Sequence, residues 1–136
     1  MAIDFNTKIG KLKVNSEAAY VTLDVPASVM PFYGNRQWGA YIEAIYPVLK
    51  RSIFGYPNTV FNVCLRFENA DYNVGRFKET ADNIYDDIKT IVPGFSIRPS
   101  ANTVIRANYR YHWERDMLGN PTVHTAGFQF GIASYF

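Results

Sequence analysis

The stretch Val104-Ile-Arg-Ala-Asn-Tyr-Arg-Tyr-His-Trp-Glu114 decides the fold. Ile105, Ala107, Tyr109, Tyr111 and Trp113 fall on one parity, and Arg106, Asn108, Arg110, His112 and Glu114 on the other. Successive side chains of a β-strand point to opposite faces, so this period of two sorts an apolar, aromatic face from a charged one. The charges run the length of the segment. A dry sandwich core could not hold Arg106, Arg110, His112 and Glu114 without pairing every one of them. A watery lumen holds them readily, and the apolar face then points outward to lipid.

Working outward, the same alternation recurs. Between Gln37 and Val48, Trp38, Ala40, Ile42, Ala44, Tyr46 and Val48 oppose Gln37, Gly39, Tyr41 and Glu43. Between Val60 and Glu68, Phe61, Val63, Leu65 and Phe67 oppose Asn62, Cys64, Arg66 and Glu68. Ile91, Pro93, Phe95 and Ile97 oppose Thr90, Gly94, Ser96 and Arg98; Ala126, Phe128, Phe130, Ile132 and Phe136 oppose Thr125, Gly127, Gln129 and Gly131. A looser run over 11–25 sets Val14, Ala18 and Tyr20 against Asn15 and Glu17. The pattern predicts six strands in one domain, an all-β antiparallel up-and-down transmembrane barrel segment. The connections over 26–36, 69–86 and 115–124 read as long and polar, 49–58 as intermediate, and Pro99–Asn102 as a tight turn. Phe77, Ala81, Ile84, Tyr85 and Ile88 stand at helical spacing, which suggests a short helix unless the next strand begins early.

Composition agrees. Of 136 residues, 48% are hydrophobic and 19% charged, which excludes a disordered chain. A net charge of +2 with no basic run gives no argument for nucleic acid. The single Cys64 excludes an intramolecular disulfide framework or a multi-Cys zinc site. No run of apolar residues is long enough for a transmembrane helix. Residues 1–10 lack the charged and apolar regions of a secretory leader. Aromatic residues are in excess, at 16%. They suit a lipid-facing girdle: Trp38, Tyr46, Tyr109, Trp113, Phe128 and Phe136. At ~3.3 Å per residue and a tilt of ~45°, the spacing from Trp38 to Tyr46, or from Phe128 to Phe136, projects to roughly 19 Å along the membrane normal. That is about the height of an apolar band between two aromatic belts.

No catalytic, metal or cofactor site emerges. Arg110 and Glu114 flank His112 on one face, and Ser96 shares its parity, but a pore-lining ion network explains this set better than a nucleophile and base. Cys64 reads as a free thiol on the polar face. His124 is assigned to a loop, and Asp82, Asp86 and Asp87 to a solvated loop rather than a calcium site. No phosphate loop, dinucleotide fingerprint or nucleophile elbow occurs. The pore-lining set is Arg66, Glu68, Arg98, Arg106, Asn108, Arg110, His112 and Glu114. With Lys13, Glu17 and Glu43 it makes a mixed wall of at most slight anion preference. Arg106 and Arg110 are expected to pair with Glu68 and Glu114 across neighbouring strands, while Gly39, Gly94, Gly127 and Gly131 leave room in the interior.

The ending Phe128-Gln-Phe-Gly-Ile-Ala-Ser-Tyr-Phe136 resembles the terminal β-signal of Gram-negative outer-membrane barrels, with Phe128, Phe130, Ile132 and Phe136 matching and Ser134 departing. Phe61-Asn-Val-Cys-Leu-Arg-Phe-Glu-Asn-Ala-Asp-Tyr72 and the segment from Gly94 to Tyr109 are similar to strand-and-turn units of phosphate-selective-type porins. The resemblance implies a C-terminal portion of a porin-like barrel in the bacterial outer membrane, surrounded by lipid and lipopolysaccharide. It also implies capture of the last strand by the barrel-assembly machinery. Six strands cannot close, since such barrels have even counts from eight upward, so the remaining strands come from the same barrel or from other subunits. The expected activity is passive diffusion of small hydrophilic solutes; the alternatives are a non-conducting anchor or scaffold, and a soluble lipocalin-like barrel holding an apolar ligand.

Overall fold

The computed structural model describes residues 1–26, 34–53 and 55–135. Eight strands form, and no helix occurs among the described residues: β1 Ala2–Ile9, β2 Leu12–Thr22, β3 Arg36–Ile53, β4 Tyr56–Arg76, β5 Asn83–Ile84, β6 Asp87–Ser100, β7 Thr103–Glu114 and β8 Val123–Ser134. All belong to one antiparallel up-and-down sheet in the order β1-β2-β3-β4-β6-β7-β8, with the short β5 pairing only with β4. The sheet is open, and β1 and β8 are its edges.

Several boundaries differ from the sequence reading. The first ten residues, read only for a leader, hold β1, which pairs with β2 from Ala2↔Ala19 to Ile9↔Leu12. The principal sheet therefore has seven strands rather than six. The 49–58 connection is mostly strand: β3 runs to Ile53 and β4 begins at Tyr56. Pro47 is tolerated there because the register shifts between Pro47 and Leu49, and Pro57 because it opens a strand. β4 continues to Arg76, well into the expected 69–86 loop, and Pro99 and Ser100 belong to β6 rather than to a turn. The helix over Phe77–Ile88 does not form. Ile84 pairs with Gly75 and Ile88 with Ala70 in the sheet.

With these ends, the connections alternate more sharply than the sequence suggested. Tight turns lie at one end, Gly10 and Lys11 between β1 and β2 and Ala101 and Asn102 between β6 and β7, and β3 ends at Ile53 and β4 begins at Tyr56 at that same end. Gly10 (φ 61°) and Gly55 (φ 83°) supply the left-handed backbone that short hairpin turns require. The longer connections over 77–86 and 115–122 lie at the other end, where β2 ends and β3 begins.

The distribution of burial is inverted relative to a water-soluble sheet. Asn62, Thr90 and Ser96 are 8%, 3% and 5% exposed, whereas Ile42, Phe67 and Phe95 on the opposite face are 51%, 49% and 52% exposed. Ile84 and Val92 are the only buried hydrophobic residues among those described. A single-layer sheet with no helix packed on it buries one face only by curling, so the polar face is concave and the apolar face convex.

Candidate functional site: the polar concave face

Four cross-strand rows build this face. Asn15, Glu43 and Arg66 are in register on β2, β3 and β4; Glu68, Thr90, His112 and Thr125 on β4, β6, β7 and β8. Cys64, Gly94, Asn108 and Gln129 make a third row, and Asn62, Ser96, Arg106 and Gly131 a fourth. The period of two within each strand, carried through an antiparallel register that holds across these rows, brings Arg66, Glu68, Arg106, Asn108, Arg110 and His112 to one face.

Their side chains form a connected network. Arg66 Nε lies 2.7 Å from Glu68 Oε1, an ion pair without hydrogen-bond alignment, and its guanidinium stacks 3.7 Å over the Tyr41 ring. Arg110 reaches over β6 to donate from Nη2 to Glu68 Oε2, while its Nε donates to His112 Nε2 at 3.2 Å. With Nε2 accepting that hydrogen bond, a neutral His112 carries its hydrogen on Nδ1 and donates it to Thr90 Oγ1 at 3.0 Å. Arg106 Nη1 sits 3.6 Å from Glu43 Oε1, and Asn15 Nδ2 donates to Glu43 Oε2. Asn62 Nδ2 donates to Ser96 Oγ at 3.2 Å.

Expected and observed partners differ in particulars. Arg110 meets Glu68, but over the intervening β6 and not from a neighbouring strand, and Arg106 pairs with Glu43 and not with Glu114. Arg98 and Glu114 stand across from Val60 and Ile88 near opposite ends of β6 and β7, and neither makes an ion pair among the described residues. Ser96 is held by Asn62 in the Arg106 row, so it does not stand beside His112 as a nucleophile would. Gly94 leaves no room: a Cβ there would meet the Asn108 side chain, whose Oδ1 accepts from Cys64 Sγ at 3.9 Å. Gly127 and Gly131, opposite Arg110 and Arg106, do face open space.

No family model matches the chain, and neither the curated proteins nor the solved structures yield a match. The chemistry must be read from the residues alone. A face of paired guanidinium, carboxylate, imidazole and amide groups offers hydrogen-bonding positions to water and polar solutes.

On the convex face, Trp38, Tyr46, Tyr109, Trp113 and Phe128 are all exposed. Tyr109 and Phe128 pack at 5.1 Å, and Phe128 stacks on Phe130 at 6.5 Å. Phe136 lies outside the described residues. His124, assigned above to a loop, is in β8, with its Nδ1 2.7 Å from the Tyr111 hydroxyl.

The longer connections are tied together at their rim. Arg115 Nε donates to Asp87 Oδ1 at 2.6 Å, and the same guanidinium lies 4.5 Å over the Tyr85 ring. Tyr85 N donates to Met117 O, and Gly119 (φ 68°) lies against the Tyr85 ring. Burial, with the nearby carboxylates of Asp71, Glu114, Asp116 and Asp87, pushes the Asp86 carboxyl above its ordinary range. Asp116 is shifted the other way by hydrogen bonds from Asn120, Leu118 and Gly119. The Asp82, Asp86 and Asp87 cluster is visible in the sequence, but its pairing with Arg115 through Asp87 is not.

Proposed function

We propose that this sheet is part of the wall of a membrane-spanning, porin-like β-barrel whose lumen admits small hydrophilic solutes by passive diffusion. The observation that carries the reading is the inverted burial: polar side chains, Glu43 among them, fill the concave face while Ile42, Val63, Leu65, Phe67, Phe95 and Ile105 are exposed on the convex one. In water that arrangement forgoes the burial of apolar area that stabilises a soluble domain, roughly 25 cal/mol per Å². Lipid makes it favourable, and the segregation of tight turns and longer connections to opposite ends has the same rationale. An outer-membrane location, with the longer connections facing outward and the barrel-assembly machinery engaging β8, belongs to the same reading. The mixed charges give a lumen of slight anion preference at most.

One observation favours a non-conducting anchor or scaffold instead. Arg106–Glu43 and Arg110–Glu68 each bridge non-adjacent strands across the concavity and narrow it. A lipocalin-like cavity has no such support, because an apolar ligand would find Asn62, Glu68, Thr90 and Ser96 on the wall. Planar-bilayer conductance of the assembled barrel separates the readings. Steps whose amplitude scales with salt are expected for the pore, and inserted protein without conductance would leave the anchor.

A further inference from the structure

The charges of the concave face are mixed in sum but not in place. No Asp or Glu occurs in 5–16, 44–67 or 88–113, the stretches in which β1 meets β2, β3 meets β4 and β6 meets β7 at the end with the tight turns. Lys8, Lys11, Lys13, Lys50 and Arg98 fall in those stretches, and none of them makes an ion pair among the described residues.

Cross-strand register gathers part of this charge around a recess of about 300 Å³, the lower end of the range for small-molecule sites. Lys13 stands opposite Ile45, and Pro47, Asn62, Ser96 and Arg106 are in register on β3, β4, β6 and β7. Lys11, Lys13, Arg98 and Arg106 supply the cations of the recess, and no carboxylate lines it. Glu43, further back along β3, is held by Arg106 and Asn15. The recess also has an apolar part. Ile45 and Pro47 line it and are half-buried on the concave parity of β3, where that parity stops being polar. Beside them Asn62 Nδ2 donates to Ser96 Oγ, and the Ser96 hydroxyl keeps its own hydrogen to donate. Cations and a hydroxyl donor without a carboxylate recognise an anion. An apolar wall adds nothing for a hydrated inorganic ion, but it favours a hydrocarbon body that leaves water.

We propose that this recess binds small organic carboxylates that carry an apolar body, benzoate being a representative of the class. The carboxylate sits among Lys11, Lys13 and Arg98 with Ser96 as a neutral donor, and the body lies on Ile45 and Pro47. Arg106, shared with Glu43, adds to the positive potential. Inorganic phosphate meets the same cations but leaves the apolar wall unused. The inference deepens the channel reading by naming a solute class, and its role in passage rests on that reading, whereas binding itself needs only the folded sheet.

The test uses the full chain in phosphatidylcholine vesicles at neutral pH, titrated calorimetrically with benzoate, acetate and inorganic phosphate, with protein-free vesicles as the blank. Benzoate is expected to bind saturably and more tightly than either comparator. Lys13 and Arg98 are exposed and free of ion pairs, so replacing them leaves the sheet intact. Lys13→Gln and Arg98→Gln should each weaken benzoate about two- to five-fold, the range of a partly solvated charge contact. Ile45→Thr should weaken benzoate and leave acetate unchanged. Lys89→Gln, which removes a cation from the opposite parity of β6 near the other end, should change nothing. Benzoate no tighter than acetate, phosphate tighter than benzoate, or benzoate binding indifferent to Lys13→Gln and Arg98→Gln together would overturn the proposal. Conductance of the same preparation keeps the two readings apart. Steps without benzoate binding refute this inference alone, whereas benzoate binding without steps upholds the recess and refutes the channel.

Discussion

Arg106 Nη1 lies 3.6 Å from Glu43 Oε1, although β4 and β6 both stand between their strands. Neighbouring strands are ~4.8 Å apart, so in a flat sheet the two backbones would be separated by about 14 Å. Side chains stand roughly perpendicular to a sheet, so the two meet because the sheet curls with its polar face inside. The pair is thus a report of curvature. Glu68, which holds both Arg66 and Arg110, does the same one strand closer. Glu68→Gln is expected to destabilise the fold more than Glu43→Gln. A double-mutant cycle of Glu43→Gln with Arg106→Gln should give a coupling of about 0.5–1 kcal/mol, because the arginine is partly solvated. Unfolding midpoints in detergent measure both.

Gly94 and Gly127 make opposite predictions. A Cβ at Gly94 would meet Asn108 and come within 2.9 Å of the Ala107 carbonyl oxygen, whereas at Gly127 nothing lies within 4 Å. Gly94→Ala should cost about 1–3 kcal/mol by overpacking, and Gly127→Ala close to nothing. Adding Asn108→Ala to Gly94→Ala should restore only part of the loss, since the backbone contact remains. Chemical denaturation of the three variants beside the parent decides it.

The rim gives a pH dependence. A carboxyl whose folded pKa is raised, as at Asp86, opposes folding once it ionises, and that penalty is relieved as pH falls through the folded value. Asp116 has the contrary sign: its contribution is present above the unfolded value and is lost as pH falls through the lowered one. Asp86→Asn should therefore increase hydrogen-exchange protection around residues 77–86 at neutral pH, and the gain should shrink toward acid pH. The replacement also suits the backbone, since Asp86 has φ 124°, where Asn is better tolerated than most residues.

The convex face discriminates lipid from water. Val63→Arg should cost ~2–4 kcal/mol if the site lies near the bilayer midplane. At an exposed site of a soluble protein the same change stays within about 0.5 kcal/mol. Refolding equilibria in lipid vesicles give the value.

Much of the sheet was legible because alternation survives wherever strands pair in register. The parity of β4, β6, β7 and β8 placed Arg66, Glu68, Arg106, Asn108, Arg110 and His112 together without any knowledge of neighbours. β1 carried the same signal, with Ile3, Phe5 and Ile9 set against Asp4, Asn6 and Lys8, but a stretch read only for a leader hides it. Prolines misled at both ends of the β3–β4 hairpin, where a register shift and a strand start absorb them. Phe77 to Ile88 mimicked a helix by chance spacing, and pairing of β5 and β6 with β4 overrode it. The partners of Arg106 and Arg115 were not legible. They depend on curvature and on contact between loops, which local period does not encode.

The most direct test is a nitroxide scan along β4 in lipid vesicles, one label at a time from Phe61 to Glu68 with Cys64→Ser as the background at every other site. The account predicts collision with oxygen at Val63, Leu65 and Phe67 and with a polar nickel chelate at Asn62, Cys64 and Arg66, alternating residue by residue. Equal access of the polar chelate to both sets would contradict it.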